Sequence, residues 1–518
     1  MSQQIQPFSI SAPGFYGLNT QESSLDLDKG FALTAVNCVI DQYGRVGARK
    51  GWNPINMASE ALGTANIEAI GQLVTDSGAE YIIVAGNNKL FKLVGSTLTA
   101  LTYGGGGTTP TITANNWQIA SLNEHLYFFQ AGHDPLIFDP TVSTTSYRRV
   151  SEKTGTSGTV PAGNIVISSF GRLWVADTTT EKAVLYWSDI LAGHKWSAGS
   201  TGSLDVTTVW PNGADNITGL ASHNGFLFIF GKNNILVYSG AQDVLTAGVF
   251  KLSDAVTGIG CIARDTIQNT GSDIIFLSDT GVRSVLRTIQ EKSAPFRDLS
   301  KNVRNDLMNA VASETANSLK SVYSPFESFY LLTLPTTKSV YCFDTKATLQ
   351  DGSSRVTMWD SIEPKSFCYL RDKSLLIGKA GYVGKYAGYQ DNGIKYRFQY
   401  FTNHTDLGAP MVSSVLKKLS VVVIGGSNQF VTIKWGYDFK ENYYAQNTKI
   451  PTQNIAEFGI AEYNTVGTEY SGGISLQTLT AYPTGAGKVV QTGYEADIDG
   501  SPLSIQKIEI QAKNGKIV

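Results

Sequence analysis

Seven short, nearly continuous apolar runs punctuate this chain, each flanked by turn-bounded segments in which apolar and polar residues mix. They lie at 81–84, 126–129, 173–176, 226–230, 274–277, 329–332 and 375–377, a period of about 44 to 55 residues. Around the first run, residues 67–73 read as a strand, Asp76, Ser77 and Gly78 as a turn, and Gly86, Asn87 and Asn88 as a second turn. Residues 90–93 and 98–101 follow as further strands. The same order recurs later, with 117–119 before and 136–138 after the second run, and 322–323 before and 340–343 after the sixth.

Three or four antiparallel strands per unit, the most apolar one second, predict the blades of a β-propeller. A strand buried between neighbouring blades is apolar on both faces, which removes the period-two alternation of a half-exposed strand. The fold class read here is all-β: a propeller of about six to eight blades, with a β-sandwich built from ordinary meanders as the alternative.

Two regions break the period. Ser300 followed by Val303, Leu307, Met308 and Val311 has helical spacing with an N-cap, so one inserted helix is expected at about 300–314. From about residue 394 the pattern changes to longer strands, at 396–400, 419–424, 431–435, 489–493 and 505–510. The expected organisation is an irregular N-terminal leader at 1–60, a propeller at 61–393 and a C-terminal β domain, platform or sandwich, at 394–518.

Composition supports short strands and tight turns: charged residues are 16%, with 52 Gly, 24 Tyr and 23 Phe among 518 residues. The formal net charge of −2 gives no bulk attraction to DNA or anionic membrane. No secretory signal and no run of about 18 apolar residues is visible, so a soluble chain is expected. Cys38, Cys261, Cys342 and Cys368 are far apart and are expected to be buried free thiols made in a reducing cytoplasm.

Candidate chemistry is sparse. The five histidines, His125, His133, His194, His223 and His404, form no metal-ligand spacing, and no nucleophile elbow or Walker loop is present. The glycine tracts at 104–107 and 485–488 read as linker or tight turn. Asp139, Asp177, Asp189, Asp344 and Asp360 fall near strand ends, where carboxylates usually accept turn hydrogen bonds. They are also what a propeller glycosidase would use. Trp174, Trp187 and Trp359 sit within strand patterns and are expected in the core rather than on a sugar platform. The sequons at Asn216 and Asn403 carry no weight without a signal peptide. The reading has no catalytic residue, no metal site and no cofactor.

The leader contains Asn37, Asp41, Gly44, Arg49, Gly51 and Trp52 in close order. The C-terminal part contains the stretch 401–410, the Lys417-Lys418-Leu419 strand start, Gly485 to Lys488, and the stretch 505–515. Flanking a propeller-like middle, these segments resemble the tail nozzle, or packaged-DNA stabilisation (tail tube), proteins of short-tailed bacteriophages (podoviruses). The resemblance implies a non-enzymatic structural virion protein, a homohexameric ring below the head-to-tail adaptor. Such a ring retains double-stranded DNA, conducts it without sequence-specific binding during ejection, and can carry tail fibres or spikes. It places the protein in the viral tail after assembly in the host cytoplasm. A near-neutral chain suits a lumen through which DNA slides, because a strongly basic wall would hold phosphates. The alternative is a glycan-active propeller, a tail-spike-like depolymerase or sugar hydrolase; a third reading is an adhesion or scaffold propeller outside any virus.

Overall fold

The computed structural model describes residues 6–59, 61–113, 116–211, 213–285, 298–406, 412–440, 442–451 and 477–517. Seven blades follow one another around a closed ring; six are small separate sheets and blade 6 is the end of a larger one, and their strands are antiparallel except for Thr102–Tyr103, which runs parallel to Ser146–Arg149. Their innermost strands are Ile67–Val74, Trp117–Leu122, Gly163–Ser169, Ile217–His223, Gln268–Asn269, Lys320–Ser324 and Ser366–Tyr369. Each touches the next, and the seventh returns to the first. The protein is therefore a seven-bladed propeller, within the range the spacing predicts, and every apolar run lies in the second strand of its blade. Blade 5 has three strands among the described residues.

The reason those runs are apolar on both faces is visible in the packing. Six gaps between neighbouring blades hold separate apolar layers, and the layer between blades 5 and 6 is continuous with the core of the terminal sandwich. In blade 2, Leu126 and Phe128 face the layer shared with blade 1, while Tyr127 and Phe129 face the layer shared with blade 3. In blade 3, Leu173 and Val175 face blade 2, and Trp174 and Ala176 face blade 4. Successive residues on a strand point to opposite faces, so a strand serving two gaps has no polar face. Trp174, Trp187 and Trp359 are all buried in these layers, as expected.

The leader departs from the expectation of an irregular segment. It forms six short strands, Gln6–Ser11, Gly17–Leu18, Phe31–Val36, Cys38–Ile40, Val46–Ala48 and Trp52–Pro54. The last pairs antiparallel with Val383–Tyr386 and so supplies the outer strand of blade 7. The ring is thus closed by a strand from the opposite end of the sequence, and the propeller is not made of 61–393 alone.

The C-terminal domain is a two-sheet sandwich that likewise borrows from the leader. One sheet runs Gln477–Ala481, Val412–Gly425, Leu503–Ile517, Val46–Ala48, Cys38–Ile40, with Gln6–Ser11 also on Leu503–Ile517. The other joins Phe31–Val36, Tyr396–Thr402, Val490–Ile498, Phe430–Tyr437 and Tyr444–Lys449. It continues without a break through Gly17–Leu18 into blade 6, giving ten strands in all. Leu419, Val421 and Ile508 from the first sheet pack with Phe398, Ile433 and Tyr494 from the second. At the junction Gly17 has φ of +80°, and a Cβ there would lie 2.4 Å from the Val356 carbonyl oxygen, an approach only glycine permits.

The inserted helix is Arg304–Ala312, preceded by the 3₁₀ turn Lys301–Val303. Leu307 and Val311 bury its apolar face beside blades 5 and 6 and the sandwich. Ser300 does not cap it as the spacing suggests. Its Oγ accepts the Val282 N–H at 3.0 Å instead, a tertiary partner taking the oxygen that a first-turn N–H would otherwise use.

Candidate functional site: the seam of leader, propeller and terminal domain

The residues that carry the leader motif converge on one buried node. Arg49 is 0% exposed, and its guanidinium spends all five donors. Nε donates to Asn37 Oδ1 at 3.0 Å, Nη1 to the Lys50 carbonyl and to Asp391 Oδ1, both at 2.9 Å, and Nη2 to Ser361 Oγ and Asp391 Oδ2, both at 2.7 Å. The cation also lies 4.0 Å from the ring centroid of Tyr396, whose hydroxyl donates to the Arg49 carbonyl. A planar fork matched to a carboxylate is the geometry for which arginine, not lysine, is suited.

Asn37 holds a left-handed turn, φ 55°, and donates to Asp360 Oδ1 at 2.6 Å and to the Arg397 carbonyl at 2.7 Å. Gly51 passes so close to the backbone of residue 390 that a Cβ would fall 1.9 Å from the Gln390 carbonyl oxygen. The spacing Asn37, Arg49, Gly51, Trp52 therefore fastens leader, blade 7 and sandwich together.

At one mouth of the propeller axis, Arg264 leads into blade 5 and reaches across to blades 2 and 3. Its Nη2 donates to the Trp117 carbonyl at 2.9 Å, and Nη1 to Asn164 through both the carbonyl and Oδ1. Asp265 joins this clasp to blade 6 through Lys320 Nζ at 2.5 Å. The axis is crossed here by a buried, hydrogen-bonded side chain.

A third cluster lies between blades 2 and 3. Lys153 Nζ is 2.5 Å from Asp139 Oδ2 and 2.8 Å from His125 Nε2. Burial alone would raise the Asp139 carboxyl, but hydrogen bonds from Lys153 and Thr141 and the neighbouring charges outweigh it and hold the group down at about 2. His194 is lowered to about 4 by burial, then by Lys153 and His125. Lys153 Nζ is thus held between the Asp139 carboxylate and the His125 ring.

The other aspartates singled out in the sequence are dispersed. Asp189 accepts from Ser200 and Ile190, and Asp344 from the Lys346 N–H, as turn acceptors. Asp177 and Asp360 accept side-chain amides of Asn164 and Asn37. No two of the five bond to each other, so each carboxylate is held by its own local donors. Asn403 is buried with its amide on the Leu27 carbonyl, closing that sequon. All four cysteines are free, Cys368 half-buried and the others buried. Among the described residues no group of three or more His, Cys, Asp or Glu side chains is placed to hold a metal, and no helix is long and apolar enough to cross a membrane. Residues 407–410 of the terminal motif lie outside the described residues.

Beside the Arg49 node opens a cleft of about 240 Å³ between the leader hairpin, the outer strands of blade 6 and the loop before Leu503. Its charges are mostly matched: Arg45 to Asp41 at 2.7 Å and Lys50 to Glu327 at 2.8 Å. Asp344 is 5% exposed, with Lys346 Nζ at 3.7 Å and Arg355 Nη1 at 4.0 Å. Burial raises its carboxyl above the ordinary range against the pull of those two cations. The sequence flagged Asp344 but not Arg355, whose place in the cleft follows from the pairing of Ser339–Thr348 with Ser354–Trp359.

No protein-family model matches the chain, and no curated protein does. Among solved structures it is similar to PorZ, a surface component of the type-IX secretion system of Porphyromonas gingivalis, with TM-score 0.33, 11% identity, and 64% of this chain and 37% of that one covered. It is similar to the extracellular domain of the one-component system BT4673 from B. thetaiotaomicron (0.39, 11%, 82% and 59%) and to a protein from Lactobacillus plantarum (0.34, 12%, 60% and 87%). The chain spans less than two thirds of the length of the first two, and none of these matches transfers an activity to it.

Proposed function

We propose that the chain is a non-enzymatic structural subunit of the tail nozzle of a short-tailed phage, a ring below the head-to-tail adaptor that retains packaged DNA and conducts it during ejection. The observation that carries this reading is the ten-stranded sheet running unbroken from blade 6 through the leader into the terminal sandwich. Force applied to the sandwich passes to the propeller through main-chain hydrogen bonds and the buried Arg49–Asp391 pair rather than through a linker, as a load-bearing ring subunit requires. Of the segments that resemble nozzle proteins, the leader motif supplies Arg49 and the outer strand of blade 7, and 417–419 and 505–512 lie in the other sheet of the sandwich. Because Arg264 crosses the propeller axis, the DNA channel in this reading lies between subunits. Electron microscopy and native mass measurement of the purified protein, alone and mixed with adaptor rings, test it. Rings of about six copies seated on the adaptor are expected; a strict monomer that never joins adaptor rings, or absence of the chain from virion tails, overturns it.

A further inference from the structure

Two of the segments singled out in the sequence, 417–419 and 505–515, lie side by side where the strand Val412–Gly425 pairs with Leu503–Ile517. The pairing carries a bulge in each of them. Lys417 is the extra residue between the pairing of Leu416 with Ala512 and that of Lys418 with Gln511. Gln506 is the extra residue between Val422 with Lys507 and Val423 with Ile505. Leu416, Leu419, Ile505 and Ile508 are all buried in the sandwich. At each bulge two successive side chains, Lys417 with Lys418 and Gln506 with Lys507, therefore turn to the outer face. Lys513, exposed and next to the buried Ala512, stands on the same face.

That face differs from its counterpart across the sandwich. On the outer face of the other sheet the cations are matched: Lys395 and Arg397 to Asp497, both at 2.9 Å, and Arg397 and Lys434 to Glu495 at 2.5 and 2.8 Å. Among the described residues, Lys507 has a long ion pair with Glu509 at 3.5 Å, and Lys417, Lys418 and Lys513 have no ion pair. Ser9, Ser420, Val422 and Gln511 lie between them, with no aromatic side chain among these positions. Protein–protein interfaces are depleted in lysine and anchored by aromatic residues, so a flat lysine face without an anchor suits a partner met through charge alone. Lys507 to Lys513 spans about 20 Å of strand at ~3.4 Å per residue. Phosphates on one strand of duplex DNA recur every ~3.4 Å along the axis, which brings several within reach of these side chains.

We propose that this face binds the phosphate backbone of double-stranded DNA without reading its sequence. The proposal rests on the nozzle reading for the presence of DNA, and it names the surface a subunit turns towards the channel. Three or four lysines neutralise about as many phosphates, a log–log salt slope of about −3. Contact of that size is weak and salt-labile, so a duplex is held loosely and still slides. The attraction is local, on a chain whose formal net charge is −2.

The test is fluorescence anisotropy of short labelled duplexes of two unrelated sequences, titrated with the full chain. Binding is expected to be alike for both and to weaken about 40- to 150-fold between about 50 and 200 mM salt. Lys418→Gln/Lys513→Gln is expected to reduce the slope by about 2 and the low-salt affinity roughly tenfold. Lys395→Gln/Lys449→Gln makes the same charge change on the other sheet and is expected to leave both unchanged. No duplex binding at low salt, equal losses in the two double variants, or capture of poly-glutamate or phosphatidylglycerol vesicles in place of duplex overturns the proposal. Adaptor-seated rings in which Lys418→Gln/Lys513→Gln binds duplex as wild type does would remove this face and leave the nozzle. A monomer absent from tails that still binds duplex through these lysines would remove the nozzle and leave the face.

Discussion

Replacing Arg49 with Met tests whether the buried node holds the ring shut. Methionine keeps the length and apolar stem of the side chain but removes the cation, leaving the buried carboxylate of Asp391, 11% exposed in the folded protein, with no charge opposite it. Breaking a buried pair from one side costs about 3–5 kcal/mol. For 518 residues unfolding in one transition, at ~2.1 cal/mol/K per residue, that corresponds to a fall in Tm of about 3–5 °C. The loss is local in origin, so hydrogen exchange reports where it acts. Amides of Trp52 and Asn53 in the closing strand and of its partner Val383–Tyr386 are expected to exchange faster, while those of blade 3 keep wild-type protection. The double variant Arg49→Met/Asp391→Leu removes the orphaned carboxylate and is expected to recover part of the loss, giving a non-additive cycle. A Tm within 1 °C of wild type, or additive single variants with exchange accelerated evenly over all blades, would refute the argument; both figures follow from the same order-of-magnitude cost of about 3–5 kcal/mol.

Gly51→Ala places a Cβ 1.9 Å from the Gln390 carbonyl oxygen and within 2.7 Å of its backbone C and N; it is expected to lower Tm at least as far as Arg49→Met, and wild-type melting would show that this approach is not needed. Acid denaturation should show two steps. The folded His194 titrates at about 4 rather than the usual 6.5, so between those values the unfolded chain binds a proton the folded one does not. Stability therefore falls as pH drops through that window, by at most about 2 kcal/mol between pH 7 and 5. Asp139, held at about 2 against its usual 3.8, contributes stability that is present above 3.8 and lost only as pH falls from there towards 2. Denaturant titrations of His194→Gln are expected to flatten the upper step alone; slopes identical to wild type would remove His194 as its source.

The propeller was legible because its signal is local. A second strand such as Leu126 to Phe129 spends alternate side chains on two different gaps, and that demand leaves a continuous apolar run at every repeat. The long strands of the sandwich were legible for the same reason. The leader was not, because its strands are two to six residues long and, apart from the local pairings of Cys38–Ile40 with Val46–Ala48 and of Gly17–Leu18 with Phe31–Val36, they pair with strands hundreds of positions away. Its dense turn residues reported the corners truthfully and hid the pairings between them. Arg49 could be quoted as part of a motif, yet its role depends on Asp391, 342 residues further on, a relation no local pattern encodes. Ser300 had the composition of a cap and a better offer from Val282.

The same contrast explains where this charge-poor chain places its buried ion pairs. Six apolar layers of similar size stabilise a ring but barely distinguish one blade edge from another, since packing of this kind tolerates exchange of similar residues. A leader strand of three residues would find comparable main-chain partners on several blades. Polar contacts discriminate among them: a misplaced Arg49 would be buried without Asp391, Ser361 and Asn37, and a misplaced Arg264 without Asn164 and the Trp117 carbonyl. The cost of those errors, several kcal/mol per uncompensated ion, exceeds anything apolar mispacking would impose. Buried charge at the seams therefore selects the register while the layers supply the stability. On this argument Arg49→Met/Asp391→Leu regains melting temperature without regaining fidelity, and after refolding a larger fraction of it than of wild type is expected with the closing strand unpaired, visible as a second, unprotected exchange population at Trp52 and Asn53.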